Sequence, residues 1–238
     1  MVFNYTYRIG LEDCGRENKA TNRAILTILE DIAGLHSATV WLGLNEINET
    51  GCAWVVLNWQ MKIIRRPAYN DELTVYTWST SADKLFAERD FRINDKNGET
   101  IVIATSRWLY MDINRRRPVR ITPEIMDRYE SEPETRVFTE KVNRIDPPDT
   151  GYIEIPYNIL RRDVDYLGHM HNISYLDAAY DVMPEEYFNG PQFNFVSIEY
   201  RKELLRNDEV KAHFYKIDKG CIISLNTDKI NAVIMLKY

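Results

Sequence analysis

Apolar and polar positions alternate along this chain with two different periods, and the switches between them mark its elements. Ile25, Ile28, Leu29, Ile32 and Leu35 recur at spacings of three and four, which places them on one stripe of an amphipathic helix. The period then falls to two. Leu57, Trp59, Met61 and Ile63 alternate with Asn58, Gln60 and Lys62, the pattern of a half-buried strand. Residues 73–79 are rich in β-branched and aromatic side chains. Residues 85–93 and 100–111 flank Asp95-Lys96-Asn97-Gly98, where Asn-Gly supplies the positive φ of a hairpin turn.

The same order returns in the second half. A helix is predicted from Asn172 to Tyr187, then strands at 194–204, 209–217, 220–226 and 231–237, with Asn226-Thr227-Asp228-Lys229 as the last hairpin turn. Between the halves, six of the nine prolines fall from Pro118 to Pro156. That interval reads as a linker around a short helix, with Thr122 as N-cap and Pro123 at the first helical position. Asn70-Asp71-Glu72-Leu73 matches Asn207-Asp208-Glu209-Val210 at a shift of 137 residues, and each lies between two strand-like runs. The chain therefore reads as a duplication. The expected fold is α+β: two tandem units, each an antiparallel sheet wrapped around a long helix, packed as an internal pseudo-dimer. The expected boundaries are 1–112 for the first domain, 113–156 for the linker and 157–238 for the second domain.

Composition narrows the function. Of 238 residues, 45% are hydrophobic and 28% charged, which is globular rather than disordered. The net charge of −6 argues against a nucleic-acid binder, which needs a basic face. Cys14, Cys52 and Cys221 are too few and too scattered for a disulfide framework or a zinc knuckle. No run reaches the ~18 apolar residues of a membrane span, and the N-terminus lacks a signal-peptide pattern. The expectation is a cytoplasmic protein without membrane insertion.

The segment richest in chemistry runs from Arg161 to Leu176, where Asp163, Asp165, His169 and His171 fall within nine residues at the start of the second helix. Each alone suits a turn or a cap. Together, a Gly168-His169 step beside Asp165 at a helix N-terminus can activate water and polarise a carbonyl. Reading His169, His171 and Asp165 as a metal site ranks well below this, because zinc sites favour other spacings. His36 ends the first apolar stripe and is expected to pack or cap. His213 alternates with Ala212 and Phe214 and is expected at a surface or between domains. Arg115, Arg116, Arg117 and Arg120 form a basic cluster, read first as a solvated turn and second as a docking patch for an acidic partner.

The same segment resembles the D-x-N-x-H-x-N-N-x-x-Y signature of the acyl-acyl carrier protein (acyl-ACP) thioesterases, a plant and bacterial family of two hotdog domains. Asp165, His169, Asn172 and Tyr175 fall on its Asp, His, second Asn and Tyr. Ile198-Glu199-Tyr200-Arg201-Lys202-Glu203 is similar to the family's L-E-Y-R-R-E-C strand, with Glu203 on the functional Glu. In the first half, Arg65-Arg66-Pro67, Thr105-Ser106-Arg107-Trp108 and Arg116-Arg117-Pro118-Val119-Arg120-Ile121 extend the likeness.

The resemblance implies two tandem hotdog domains and release of a fatty acid from its carrier-protein thioester, with no cofactor and no metal. It implies Asp165, His169 and Glu203 as catalytic, and Gly168, Met170, His171 and Asn172 as substrate-binding through side chains and helix-start amides. The partner implied is acyl carrier protein. The oligomeric state stays open, a homodimer included. Three positions depart from the pattern: Leu167 replaces an Asn, His171 replaces the first of the paired Asn, and Leu204 replaces the Cys, which leaves no thiol nucleophile. Leu167 carries no hydrogen-bonding atom. Two alternatives remain: an acyl-CoA thioesterase, because CoA and the carrier protein share the pantetheine arm, and a non-hydrolytic acyl-binding protein, which Leu167 supports. Aligning Gly15 with Gly168 sets Arg16 opposite His169 and Glu12 opposite Asp165. The first half is therefore expected to shape the acyl pocket rather than do chemistry.

Overall fold

The computed structural model describes residues 1–139, 142–165 and 168–238; the departure at Leu167 lies outside the described residues. The chain divides into two compact units, Met1–Lys141 and Val142–Tyr238.

The first unit holds β1 (Phe3–Arg8), α1 (Asn22–Thr39), α2 (Ile47–Thr50), β2 (Cys52–Ile63), β3 (Glu72–Ala82), β4 (Phe86–Asp95), β5 (Thr100–Asp112), β6 (Arg117–Pro118) and α3 (Pro123–Tyr129). Its antiparallel sheet runs β1-β3-β4-β5-β2, and β6 pairs with the end of β5. Thr21 caps α1, its hydroxyl accepting the Ala24 N–H at 3.0 Å. The stripe Ile25, Ile28, Leu29 and Ile32 is buried, and α1 lies across β1 and β3. The stripe ends on His36 rather than Leu35. His36 is fully buried, whereas Leu35 is 44% exposed, because residue 36 follows Ile32 by one helical turn and Leu29 by two. Opposite the helix, Trp59 and Phe91 fill the sheet face, their rings 5.0 Å apart, while Trp78 is buried on the other face.

The second unit holds β7 (Tyr152–Tyr157), α4 (Ser174–Val182), α5 (Glu185–Phe188), β8 (Phe195–Tyr200), β9 (Val210–Ile217), β10 (Gly220–Asn226) and β11 (Ile230–Lys237). Its antiparallel order is β8-β11-β10-β9-β7. One long helix is expected here, and the structure has a broken one. Pro184 ends it: Met183 turns to extended backbone, and α5 starts after the proline. Proline has no N–H to give to the preceding turn and disfavours helical backbone in the residue before it.

β1 and β7 are edge strands that the sequence pattern did not reveal. β1 is mostly exposed, and β7 lies inside the proline-rich stretch. Much of the predicted linker is held against one sheet or the other. Within the first unit, Val137 donates its N–H to Asp90 Oδ2 at 2.8 Å, and Trp78 Nε1 donates to the Thr135 carbonyl at 2.7 Å. Within the second, Ile145 donates its N–H to Glu199 Oε2 at 3.0 Å, while Arg201 Nη2 donates to the Ile145 carbonyl at 2.6 Å. Ile145 covers an apolar patch of Tyr215, Ile222 and Val233.

Candidate active site

The two matching tetrapeptides form the same turn. The Ala68 N–H donates to Asp71 Oδ2, and the Leu205 N–H donates to Asp208 Oδ2, each at 2.9 Å. Asp71 and Asp208 also return their own N–H groups to the carbonyls of Ala68 and Leu205. A carboxylate three residues on can close such a turn on its own backbone.

Upstream, the segment leading into α4 folds into a tight loop. Gly168 holds φ +85°, a conformation that suits a residue without Cβ. The Asp165 N–H donates to the His169 carbonyl at 2.8 Å, and Asp165 Oδ1 accepts the His169 N–H at 3.0 Å. Met170 donates its N–H to the Leu204 carbonyl at 2.8 Å, and His169 bridges Leu205. Those bonds join the loop to the segment after β8. As a result His169 Nε2 lies 3.3 Å from Glu203 Oε2, although the two are 34 positions apart. The His169 side chain is 25% exposed and that of Glu203 46%, so both groups are open to water.

Asp165 grips the His169 main chain. Met170 is buried. His171 is exposed, and its Nδ1 accepts the Ile173 N–H at 3.3 Å. The Asn172 carbonyl accepts the Tyr200 hydroxyl at 2.9 Å. One expectation is corrected. The backbone amides of Gly168, His169 and Met170 are not free to polarise a substrate carbonyl, because they donate to Asp165 O, Asp165 Oδ1 and Leu204 O. The loop has used these donors to close itself.

A polar set supports the pair. Tyr175, on α4, accepts the Leu204 N–H at 3.1 Å in a buried bond. Burial, chiefly, raises its phenol above the usual range, with the field of Glu203 and Asp165 adding to it. Asn231, fully buried on β11, donates from Nδ2 to the Glu203 carbonyl at 3.2 Å. Its Oδ1 accepts the Thr227 N–H at 2.9 Å. Sequence reasoning noted Tyr175 only as a motif position and missed Asn231. The available signal was a lone amide between Ile230 and Ala232 in an otherwise aliphatic strand.

The alignment of the two helix starts is also corrected. In the first unit, the Gly15 N–H donates to the Lys19 carbonyl and the Ala20 N–H to the Pro67 carbonyl, each at 2.9 Å. These are the bonds that Asp165 and Met170 make in the second unit. Gly15 therefore corresponds to Asp165 and Lys19 to His169, a shift of 150 residues rather than the 153 of the glycine alignment. By the 137-residue shift of the turns, Arg66 stands where Glu203 stands. Arg66 Nη1 donates to the Ala20 carbonyl and to Asn22 Oδ1, at 2.9 and 2.8 Å. The first unit thus carries two cations in place of the His–Glu pair.

The other histidines lie elsewhere. His36 is buried against Phe3, the rings stacked 5.3 Å apart. His213 Nε2 lies 3.1 Å from Glu154 Oε2, and its ring stacks on Tyr152 at 4.0 Å. Among the described residues, no helix is long and apolar enough to cross a membrane.

Residues 1–129 match the acyl-ACP thioesterase N-terminal domain, and residues 148–235 match the C-terminal domain. Oleoyl-acyl carrier protein thioesterase 2, chloroplastic, of Arabidopsis thaliana is 27% identical over 214 residues, covering 83% of this chain and 58% of that protein. A palmitoyl-acyl carrier protein thioesterase of Gossypium hirsutum is 22% identical, covering all of this chain and 60% of the relative. The chain thus spans roughly three fifths of the length of these relatives. Among solved structures, an acyl-ACP thioesterase from Bacteroides thetaiotaomicron superposes with a TM-score of 0.86 at 20% identity, covering 99% of this chain and 97% of the other. The 12:0-ACP thioesterase from Umbellularia californica gives 0.85 at 18% identity, covering 99% and 96%. These likenesses carry the hotdog fold for both sheet-and-helix units. With both of the family's domains matched in order along it, the chain belongs to the acyl-ACP thioesterase family.

Proposed function

We propose that the chain hydrolyses fatty acyl thioesters of acyl carrier protein, releasing free fatty acid and the carrier's thiol. The observation that carries this reading is the approach of His169 Nε2 to Glu203 Oε2, 3.3 Å, at a water-accessible place on the second unit. An imidazole beside a carboxylate can take a proton from water and return it. Water attacks the thioester carbonyl carbon while the pair accepts its proton. The resulting tetrahedral intermediate expels sulfur as the C–S bond breaks, and the proton passes to the leaving thiolate. No side-chain nucleophile is needed. Asp165 holds the His169 backbone, so that the ring is presented from a closed loop. Stabilisation of the oxyanion falls to groups other than the Gly168, His169 and Met170 amides. The Asn172 side chain, at the start of α4, is the candidate.

The same pair separates this reading from a non-hydrolytic acyl-binding protein, for which binding alone would not require an acid–base pair open to water. The test is a hydrolysis assay with one acyl group presented on acyl carrier protein and on CoA, in wild type and His169→Ala. Turnover on the carrier-protein substrate that is lost in the variant supports the proposal. Equal or better turnover on CoA replaces the carrier assignment, and retention of ligand without turnover replaces hydrolysis.

A further inference from the structure

The two units share a backbone frame but differ at three buried or half-buried positions. In the first unit the N–H groups of Ile64 and Arg65 both donate to the Ile101 carbonyl, at 2.8 and 3.1 Å. In the second, Arg201 and Lys202 donate in the same way to the Asn231 carbonyl, at 2.8 and 3.0 Å. The Thr21 N–H donates to Asp13 O at 2.9 Å, as the His171 N–H donates to Asp163 O at 2.7 Å. These bonds set Ile25 against Tyr175, Ile63 against Tyr200, Pro67 against Leu204 and Ile101 against Asn231.

Three isoleucines, all buried, thus occupy the places of two tyrosines and an asparagine. The frame forms without polar side chains there, so folding alone does not call for them. Burying a polar group is costly unless it finds a partner. Each of the three finds one on the backbone that carries the candidate site. The Tyr200 hydroxyl donates to the Asn172 carbonyl, Asn231 Nδ2 donates to the Glu203 carbonyl, and the Leu204 N–H donates to the Tyr175 oxygen. Donor and acceptor of the last bond vanish together in the first unit, since Pro67 has no N–H and Ile25 no hydroxyl. That unit also lacks the His–Glu pair.

Resting on the proposed hydrolysis, we infer that Tyr175, Tyr200 and Asn231 are positioning residues that hold the Asn172 and Glu203–Leu204 backbone so that Glu203 reaches His169. Glu203 lies beyond the end of β8, where regular strand pairing no longer fixes it. The bond to its own carbonyl and the bond to the next N–H pin it from both sides.

The test uses the full chain with Tyr175→Phe, Tyr200→Phe and Asn231→Leu, each alone and combined with Glu203→Gln. The measurements are kcat and KM on acyl carrier protein thioesters, together with the pH titration of the His169 ring followed by NMR. Each single variant is expected to lower kcat about tenfold or more with KM little changed. In the Glu203→Gln background the same substitutions should cost less than about twofold, because they act through that carboxylate. The His169 titration curve should differ from wild type in the single variants. Additive losses in the Glu203→Gln background would overturn the inference, as would unchanged His169 titration in all three variants. If wild type shows no hydrolysis, the proposed function fails, and the His169 titration still decides the positioning role. Tyr200 is only half-buried, so its variant tests the idea even if the other two fail to fold.

Discussion

His36 Nδ1 lies 2.8 Å from Arg89 Nη1, inside the first unit, which makes the imidazole a neutral acceptor for a buried guanidinium. Arg89 also donates to Thr77 Oγ1 at 3.1 Å and sits 5.3 Å from the centre of the Tyr129 ring. Burial first, and the Arg89 charge second, lower the His36 pKa to about 3. An unfolded histidine titrates near 6.5, so between those values the unfolded chain binds a proton that the folded chain does not. This contribution is present above about pH 6.5 and is lost as pH falls towards about 3, by up to about 1.4 kcal/mol per pH unit. Thermal unfolding from pH 7 to 5 should show wild type losing stability more steeply than His36→Gln, which keeps an acceptor that cannot titrate. Parallel curves would refute the neutral-acceptor role.

The His169–Glu203 pair predicts a sharp difference among histidines. His169→Ala should lower kcat by roughly 10²–10⁴, the usual contribution of a general acid–base group. His213 also faces a carboxylate, Glu154, and so serves as a control for the mere presence of a His–Glu contact. His213→Ala should leave kcat within about twofold of wild type. Equal losses at the two positions would remove the assignment of the site.

Leu167 is where the chain departs most from its family's motif. A residue with no polar atom stands where the family has an amide. Leu167→Asn should raise kcat on acyl carrier protein substrates by about tenfold or more, with little change in KM. A robust wild type made slower by that substitution would mean that the site has been rebuilt around Leu.

Gly220 opens β10 where its strand neighbours crowd it. A Cβ there would sit 2.0 Å from the Leu236 carbonyl oxygen, a backbone atom that cannot swing aside. Gly220→Ala should destabilise the second unit by at least about 2 kcal/mol, measured by denaturant unfolding. Wild-type stability in that variant would show that the β10–β11 pairing can shift.

Much of the architecture was legible from period alone. α1 and the central strands of both units follow their predicted runs, because a buried face forces one residue in two, or one in three or four, to be apolar. β10 matches its prediction at both ends. The turns at Asp71 and Asp208 were legible because each is closed by its own side chain, a local interaction. The break at Pro184 was also written in the sequence, but the apolar period across it masked the proline.

Tertiary structure decided the rest, since contacts between distant segments leave no local period. Glycine chemistry suggested aligning Gly15 with Gly168. The cross-strand bonds to Pro67 and Leu204 instead pair Gly15 with Asp165 and Lys19 with His169. The family motif named His169 and Glu203 separately. The Met170 bond to Leu204 and the bridge from His169 to Leu205, contacts between distant segments, bring their side chains to 3.3 Å. The loop amides looked free in the sequence, and the loop's own closure consumed them. Asn231 gave almost no signal, because a single buried amide acquires meaning only through the carbonyl it reaches across the fold. Sequence by itself determined which surfaces must be buried, a property of local pattern. Which polar groups meet depended on loops closing over tens of residues, and only the folded chain specifies that.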